Sequence, residues 1–111
     1  MRGPRTDALT VSRTVGANVA ALRGMHGWSQ RVLARQTEIR GIKPVGFSTI
    51  ARMEKGSRPE EEAVAIYIDD VVSLAETFGI TVQQLITPPK CVACMDNPPK
   101  GFTCRTCGAE A

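Results

Sequence analysis

The chain has 111 residues and a mass of 12.0 kDa, which suffices for one domain and a small appendage without a core of its own, so a two-domain enzyme is excluded. With 42% hydrophobic and 23% charged residues it has the composition of a globular protein, and with 5% aromatic residues its core must be mainly aliphatic. The net charge of +3 hides an uneven distribution: residues 1–58 carry eleven Lys/Arg against Asp7, Glu38 and Glu54, a balance of +8, whereas residues 59–111 carry three against eight, a balance of −5.

A basic half suits a polyanion, and nucleic acid is the commonest one for a small cytosolic protein; a solvated surface of incidental charge accounts for the same numbers. No apolar run reaches about 18 residues, and no signal-type stretch follows Met1 to Asp7. The sequence therefore predicts a cytoplasmic protein with no membrane contact.

Residues 1–9 mix charge, Gly and Pro without periodicity and read as a loose arm, whose Arg2 and Arg5 could touch phosphate if ordered. From Val11 a helical pattern begins, with Val15, Val19 and Leu22 on one face and Gly24 and Gly27 marking its end. Ser29 can cap a second helix, with Val32 and Leu33 inward and Arg31, Arg35 and Gln36 outward. The stretch from Arg40 to Gly46 cannot continue that helix, because Pro44 lacks an amide hydrogen and its ring clashes with the preceding turn. A third helix fits residues 47–55, with Ile50 and Met53 on one face and Gly56 as a left-handed C-terminal cap.

Pro59 and the glutamates 60–62 make the next break. Ala63 to Ile68 is short and β-branched; it fits an extended lead-in or a helix start, and the extended form is favoured. Asp69 or Asp70 can cap a fourth helix over Val71 to Phe78, with Gly79 as its stop. Thr81-Val82-Gln83-Gln84 has capping-box form and opens a fifth short helix through Leu85 and Ile86. Thr87-Pro88-Pro89 ends it. The predicted organisation is an arm at 1–9, a helical domain at 10–87 and a tail at 88–111.

Two short capped helices inside a five-helix aliphatic bundle, with basic charge on that side, have the layout of a helix-turn-helix reader. Gly27-Trp28-Ser29-Gln30-x-x-Leu33-Ala34, then Ser48-Thr49-Ile50-Ala51-Arg52-Met53-Glu54-Lys55-Gly56, then Leu74-Ala75-x-x-Phe78-Gly79-Ile80-Thr81-x-x-x-Leu85 resembles the phage-repressor and Cro-like (XRE-type) helix-turn-helix family over residues 11–87. The resemblance implies an all-α fold and a DNA-binding regulator. It also implies that Gln30 packs its amide against a phosphate and the recognition helix, and that Arg23 and Glu54 form a buried pair tying that helix to the scaffold. Phe47, Ser48, Thr49 and Arg52 would then face the major groove, where hydroxyls, a guanidinium and an aromatic edge can meet bases. Lys55 and Arg58 would contact phosphates.

The chain departs from the family between Ala34 and Ile50, where it has roughly six residues beyond the usual three- or four-residue turn. These carry Arg40 and Lys43, which could reach the DNA backbone. A second addition, Glu60 to Tyr67, is acidic and should keep away from DNA. Plainer roles stand beside these: Phe47 is as well suited to core packing, Arg23–Glu54 to an ordinary ion pair, and Trp28 and Tyr67 to packing rather than stacking. His26 reads as a surface residue at a helix end.

All four cysteines fall in the tail, as Cys91-x-x-Cys94 and Cys104-x-x-Cys107. Two such hooks can place four thiolates around a tetrahedral metal, and a piece this small needs a staple to fold. The fragment resembles a compact zinc ribbon, which implies one structural Zn2+ per chain. Disulfides are disfavoured in a reducing cytosol, and a redox C-x-x-C expects a βαβ setting that is missing.

The combined expectation is an all-α, five-helix Cro/repressor-like helix-turn-helix bundle with a small zinc-stapled C-terminal ribbon. Its predicted function is that of a sequence-specific transcriptional regulator, a bacterial or phage repressor, binding double-stranded DNA as a homodimer. A protein partner through the zinc tail is a further expectation, as is a location at the nucleoid. The alternative is a zinc-stabilised interaction adaptor with little DNA binding. An enzyme is disfavoured, because no nucleophile pairs with a base and the sole histidine is isolated.

Overall fold

Aliphatic residues at helical spacing, cut by glycine and proline, give helices where the pattern places them. The computed structural model describes residues 10–91 together with Thr103, Arg105 and Gly108. Over these residues it has α1 (Thr10–His26), α2 (Gln30–Arg40), α3 (Phe47–Lys55), α4 (Ile68–Phe78) and α5 (Val82–Ile86). The five-helix all-α bundle is therefore present. The expected zinc-stapled ribbon is not found among the described residues, where no group of three or more His, Cys, Asp or Glu could hold a metal. Among those residues, no helix is long and apolar enough to cross a membrane.

One core joins all five helices. Val15, Val19 and Leu22 of α1 meet Leu33 of α2, Ile50 and Met53 of α3, Val71, Leu74 and Phe78 of α4 and Leu85 of α5. Burying each aliphatic side chain is worth about 1.5–3 kcal/mol, so this shared cluster is the main stabilising term. The helices come close where the side chain is smallest. A Cβ on Gly16 would lie 2.1 Å from the Met53 carbonyl oxygen, so α1 and α3 touch backbone to backbone.

Local signals explain most boundaries. The Ser29 hydroxyl accepts from the Val32 amide at 3.1 Å and starts α2. Thr81 and Gln84 form the expected capping box of α5, and Gly79 ends α4 with φ 73, in the left-handed region. Other expectations are corrected. Val32 faces solvent, and buried Thr37 takes the inward place four residues after Leu33. Gly56 ends α3 in the right-handed region, with φ −67, because the chain turns straight into the next connection. The N-cap of α4 is Tyr67 without a side-chain bond; Asp70 is drawn away to Lys43.

Both connections are tied down. In the 41–46 connection, the Val45 amide donates to Thr37 Oγ1 at 2.8 Å and the Val45 side chain is buried. Lys43 Nζ pairs with the Asp70 carboxylate, and Ser73 Oγ donates to the Lys43 carbonyl. The 57–67 connection is clipped by Arg13, whose guanidinium donates to the carbonyls of Gly56, Arg58 and Glu61 at 3.3, 2.7 and 3.0 Å.

At the other end of the molecule His26 stacks on Trp28 with centroids 4.4 Å apart, and Trp28 stacks on Phe78 at 6.1 Å. Burial, and secondarily the charge of Arg40, hold the His26 pKa below its ordinary 6.5. The unfolded chain then binds a proton more readily than the folded one. This contribution to stability is present above about pH 6.5 and is lost as pH falls toward the lower folded value. In urea titrations the midpoint of the H26Q variant should accordingly fall less over that window than the parent's; identical slopes would contradict the linkage.

Candidate nucleic-acid interface

On α3 the buried residues Ile50, Met53 and Glu54 fix one face, and the helical repeat then points Ser48, Arg52 and Lys55 the opposite way. All three are exposed. Phe47 and Thr49 lie on the two flanks of this stripe, and each flank has its own neighbour.

On the Phe47 flank, the Arg31 guanidinium of α2 lies 4.2 Å from the ring centroid, a cation–π contact worth about 0.5–1 kcal/mol at an exposed site. Phe47 is 37% exposed and absent from the core cluster, so the core-packing alternative does not describe it. On the Thr49 flank a cleft opens between α3, Lys43 of the first connection and residues 64–67 of the second. Tyr67, expected to pack, is 81% exposed there.

The Arg23–Glu54 pair anchors α3 from behind. Arg23 Nε and Nη2 donate to the two carboxylate oxygens of Glu54, each at 2.9 Å, in a bidentate fork. Gln30 Nε2 donates to Glu54 Oε1 at 3.0 Å, and Arg23 Nη1 to the Trp28 carbonyl at 3.0 Å. The hydrogen bond to Glu54 raises the Arg23 pKa above its ordinary value. The Gln30 amide nitrogen is thus directed to the ion pair. One effect is electrostatic: the only acid of α3 is turned inward and neutralised, leaving Arg52 and Lys55 to set the charge of the outer edge.

Of the remaining sequence-predicted contacts, Arg58 is exposed just beyond α3. Arg40 is not brought to α3; its guanidinium sits 6.0 Å from the Trp28 ring centroid. Lys43 reaches the α3 flank but is engaged by Asp70, whose hydrogen bond raises the lysine pKa. The acidic second connection does not keep away from α3. Glu61 Oε1 lies 3.8 Å from Lys55 Nζ, because the Arg13 clip holds the connection against the end of the helix.

Sequence reasoning missed Arg31, Arg13 and the exposure of Tyr67. Arg31 was legible as an outward residue next to Gln30; its partnership with Phe47 was not, because the long connection hid the geometry between α2 and α3.

No protein-family model, curated protein or solved structure matches the chain. The resemblance to the phage-repressor and Cro-like family with a zinc-ribbon-like tail is corrected to an all-α five-helix bundle, because no metal-holding group for such a tail is found among the described residues.

The structural Zn2+ is corrected as well. A tetrahedral site needs four ligands converging on one point. Of the four expected, only Cys91 is described, buried beyond the end of α5, and no metal-holding group is found among the described residues. Cys94, Cys104 and Cys107 lie outside the described residues, as does the arm with Arg2 and Arg5. The protein partner expected through a zinc tail loses its basis with it, and so does a tail role in the homodimer expected on DNA.

Proposed function

We propose that this protein is a sequence-specific DNA-binding transcriptional regulator that lays the Ser48–Arg52–Lys55 edge of α3 in the major groove. The observation that carries this reading is the exposed outer edge of a helix whose own acid is neutralised from behind. Exposed Arg31, Arg35 and Arg58 lie on α2 and just after α3, in no ion pair among the described residues. In this reading Arg52 forks onto a base edge, Ser48 adds a hydroxyl, and Arg31, Lys55 and Arg58 position the protein on phosphates. Its place of action is the cytoplasm, at the nucleoid.

The test is selection of bound duplexes from a random pool, followed by affinity measurements on the winner. R52A is expected to cost about 1–3 kcal/mol on that duplex and to relax the preference at one position. R58A is expected to weaken all duplexes alike and to reduce the salt slope by about one unit. Equal affinity for every duplex at physiological salt counts against the reading. A second reading, an interaction module with little DNA binding, draws on the exposed side chains of Ile39, Ile42, Tyr67 and Ile68; a stoichiometric co-purifying protein without salt-sensitive DNA binding favours it.

A further inference from the structure

The two added connections, which look like interruptions of the helical pattern, converge on one flank of α3. Lys43 comes from the first and Tyr67 from the second, and with Thr49 and Arg52 of α3 they line a cleft of about 180 Å³. Met53, Val64 and Ile66 supply the apolar part of its wall.

The polar lining is rich in donors. The Arg52 side chain is in no hydrogen bond or ion pair among the described residues, and Thr49 and Tyr67 contribute hydroxyls. The lining carboxylate, Asp70, has a side chain only 6% exposed and is occupied by Lys43, whose own side chain is 44% exposed. A ligand in the cleft therefore meets both cations and hydroxyls and a stretch of hydrocarbon. That combination suits an acceptor with an apolar body and offers no uncompensated carboxylate to a cation.

We infer that the cleft between α3 and the two connections binds a small organic anion, its acid group on Arg52 and its apolar part against Met53, Val64 and Ile66. A DNA phosphodiester shares the anionic chemistry but has no apolar body to set against the apolar wall, which favours the free anion. Because Arg52 also belongs to the outer edge of α3, an occupied cleft withdraws that guanidinium from a base. The anion then acts as an inducer. The site stands on the cleft alone; the inducer role rests on the DNA reading above.

Benzoate is the probe, and benzylamine, with a similar body and the opposite charge, is the control. In amide NMR spectra of the full chain, benzoate is expected to shift the signals of Thr49, Arg52, Ala65 and Tyr67 with millimolar affinity, and benzylamine is expected to leave them in place. R52Q should weaken benzoate about tenfold. Ala65 is exposed and lines the cleft, so A65W should fill it and abolish the shifts; if A65W does not fold, R52Q decides alone. No shifts with benzoate in the tens of millimolar, equal shifts with benzylamine, or unchanged affinity in R52Q would each overturn the site.

In a second arm, benzoate at constant ionic strength is expected to lower DNA affinity at least about twofold in the parent and not in A65W. Benzoate binding without that effect overturns the inducer role and leaves the site. Failure to bind DNA at all overturns the regulator reading, and the NMR arm still decides the site.

Discussion

Replacing Glu54 with alanine is expected to cost about 2–3 kcal/mol and to lower the melting temperature by roughly 10–20 °C. The carboxylate accepts two bonds from Arg23 and one from Gln30, and its removal leaves all three donors facing a partly buried void. Loss of one partner from a fully buried pair costs about 3–5 kcal/mol. The expectation is set lower because Glu54 is 8% exposed and Arg23 24% exposed, which lets water reach the guanidinium. E54Q keeps the volume and one acceptor oxygen, so it should fall between the parent and E54A. A thermal shift of only a degree or two for E54A would show that the fork does not hold α3 to α1.

Gly16→Ala is expected to destabilise by about 2 kcal/mol or more, against the usual gain from glycine to alanine in a helix of up to about 1 kcal/mol. The added methyl would lie 2.1 Å from the Met53 carbonyl oxygen and 3.1 Å from Ser57 Cβ. The close atom is backbone and cannot rotate away, so α1 and α3 must separate. Gly24→Ala, in the same helix with nothing within 4 Å of the new atom, is the matched control and should stabilise by roughly 0.5–1 kcal/mol. If both variants shifted the same way, the helix contact would not be the limiting distance between α1 and α3.

The helices were legible in the sequence where local chemistry fixes them: Val15, Val19 and Leu22 at helical spacing, the Ser29 cap, the Thr81–Gln84 capping box and the left-handed Gly79. The Arg23–Glu54 pair and the outward Ser48 and Arg52 were expected only through the resemblance, and the structure pairs the first two at 2.9 Å and exposes the others. What could not be read were features set by contacts between distant segments. Asp70 looks like a cap until Lys43, 27 residues earlier, claims it. Gly56 looks like a left-handed stop until its neighbours leave it in the right-handed region with φ −67. Tyr67 looks like a packing residue because aromatic area favours burial, yet at the start of α4 it is left 81% exposed. The tail expectation rested on the two cysteine hooks, Gly108 and the small size of the piece, and the described residues hold no metal-binding group to match it.

The Arg13 clip grips main-chain oxygens, and so does Asn18, whose amide donates to the carbonyls of Leu85 and Thr87 at 2.8 and 3.0 Å. Such a grip is blind to what the gripped residues carry. Side chains at positions 58, 61, 85 and 87 can drift without loosening these particular fastenings, whereas positions 13 and 18 have no such latitude. For these two clips, then, the demand on sequence falls on α1 and not on the residues that it holds.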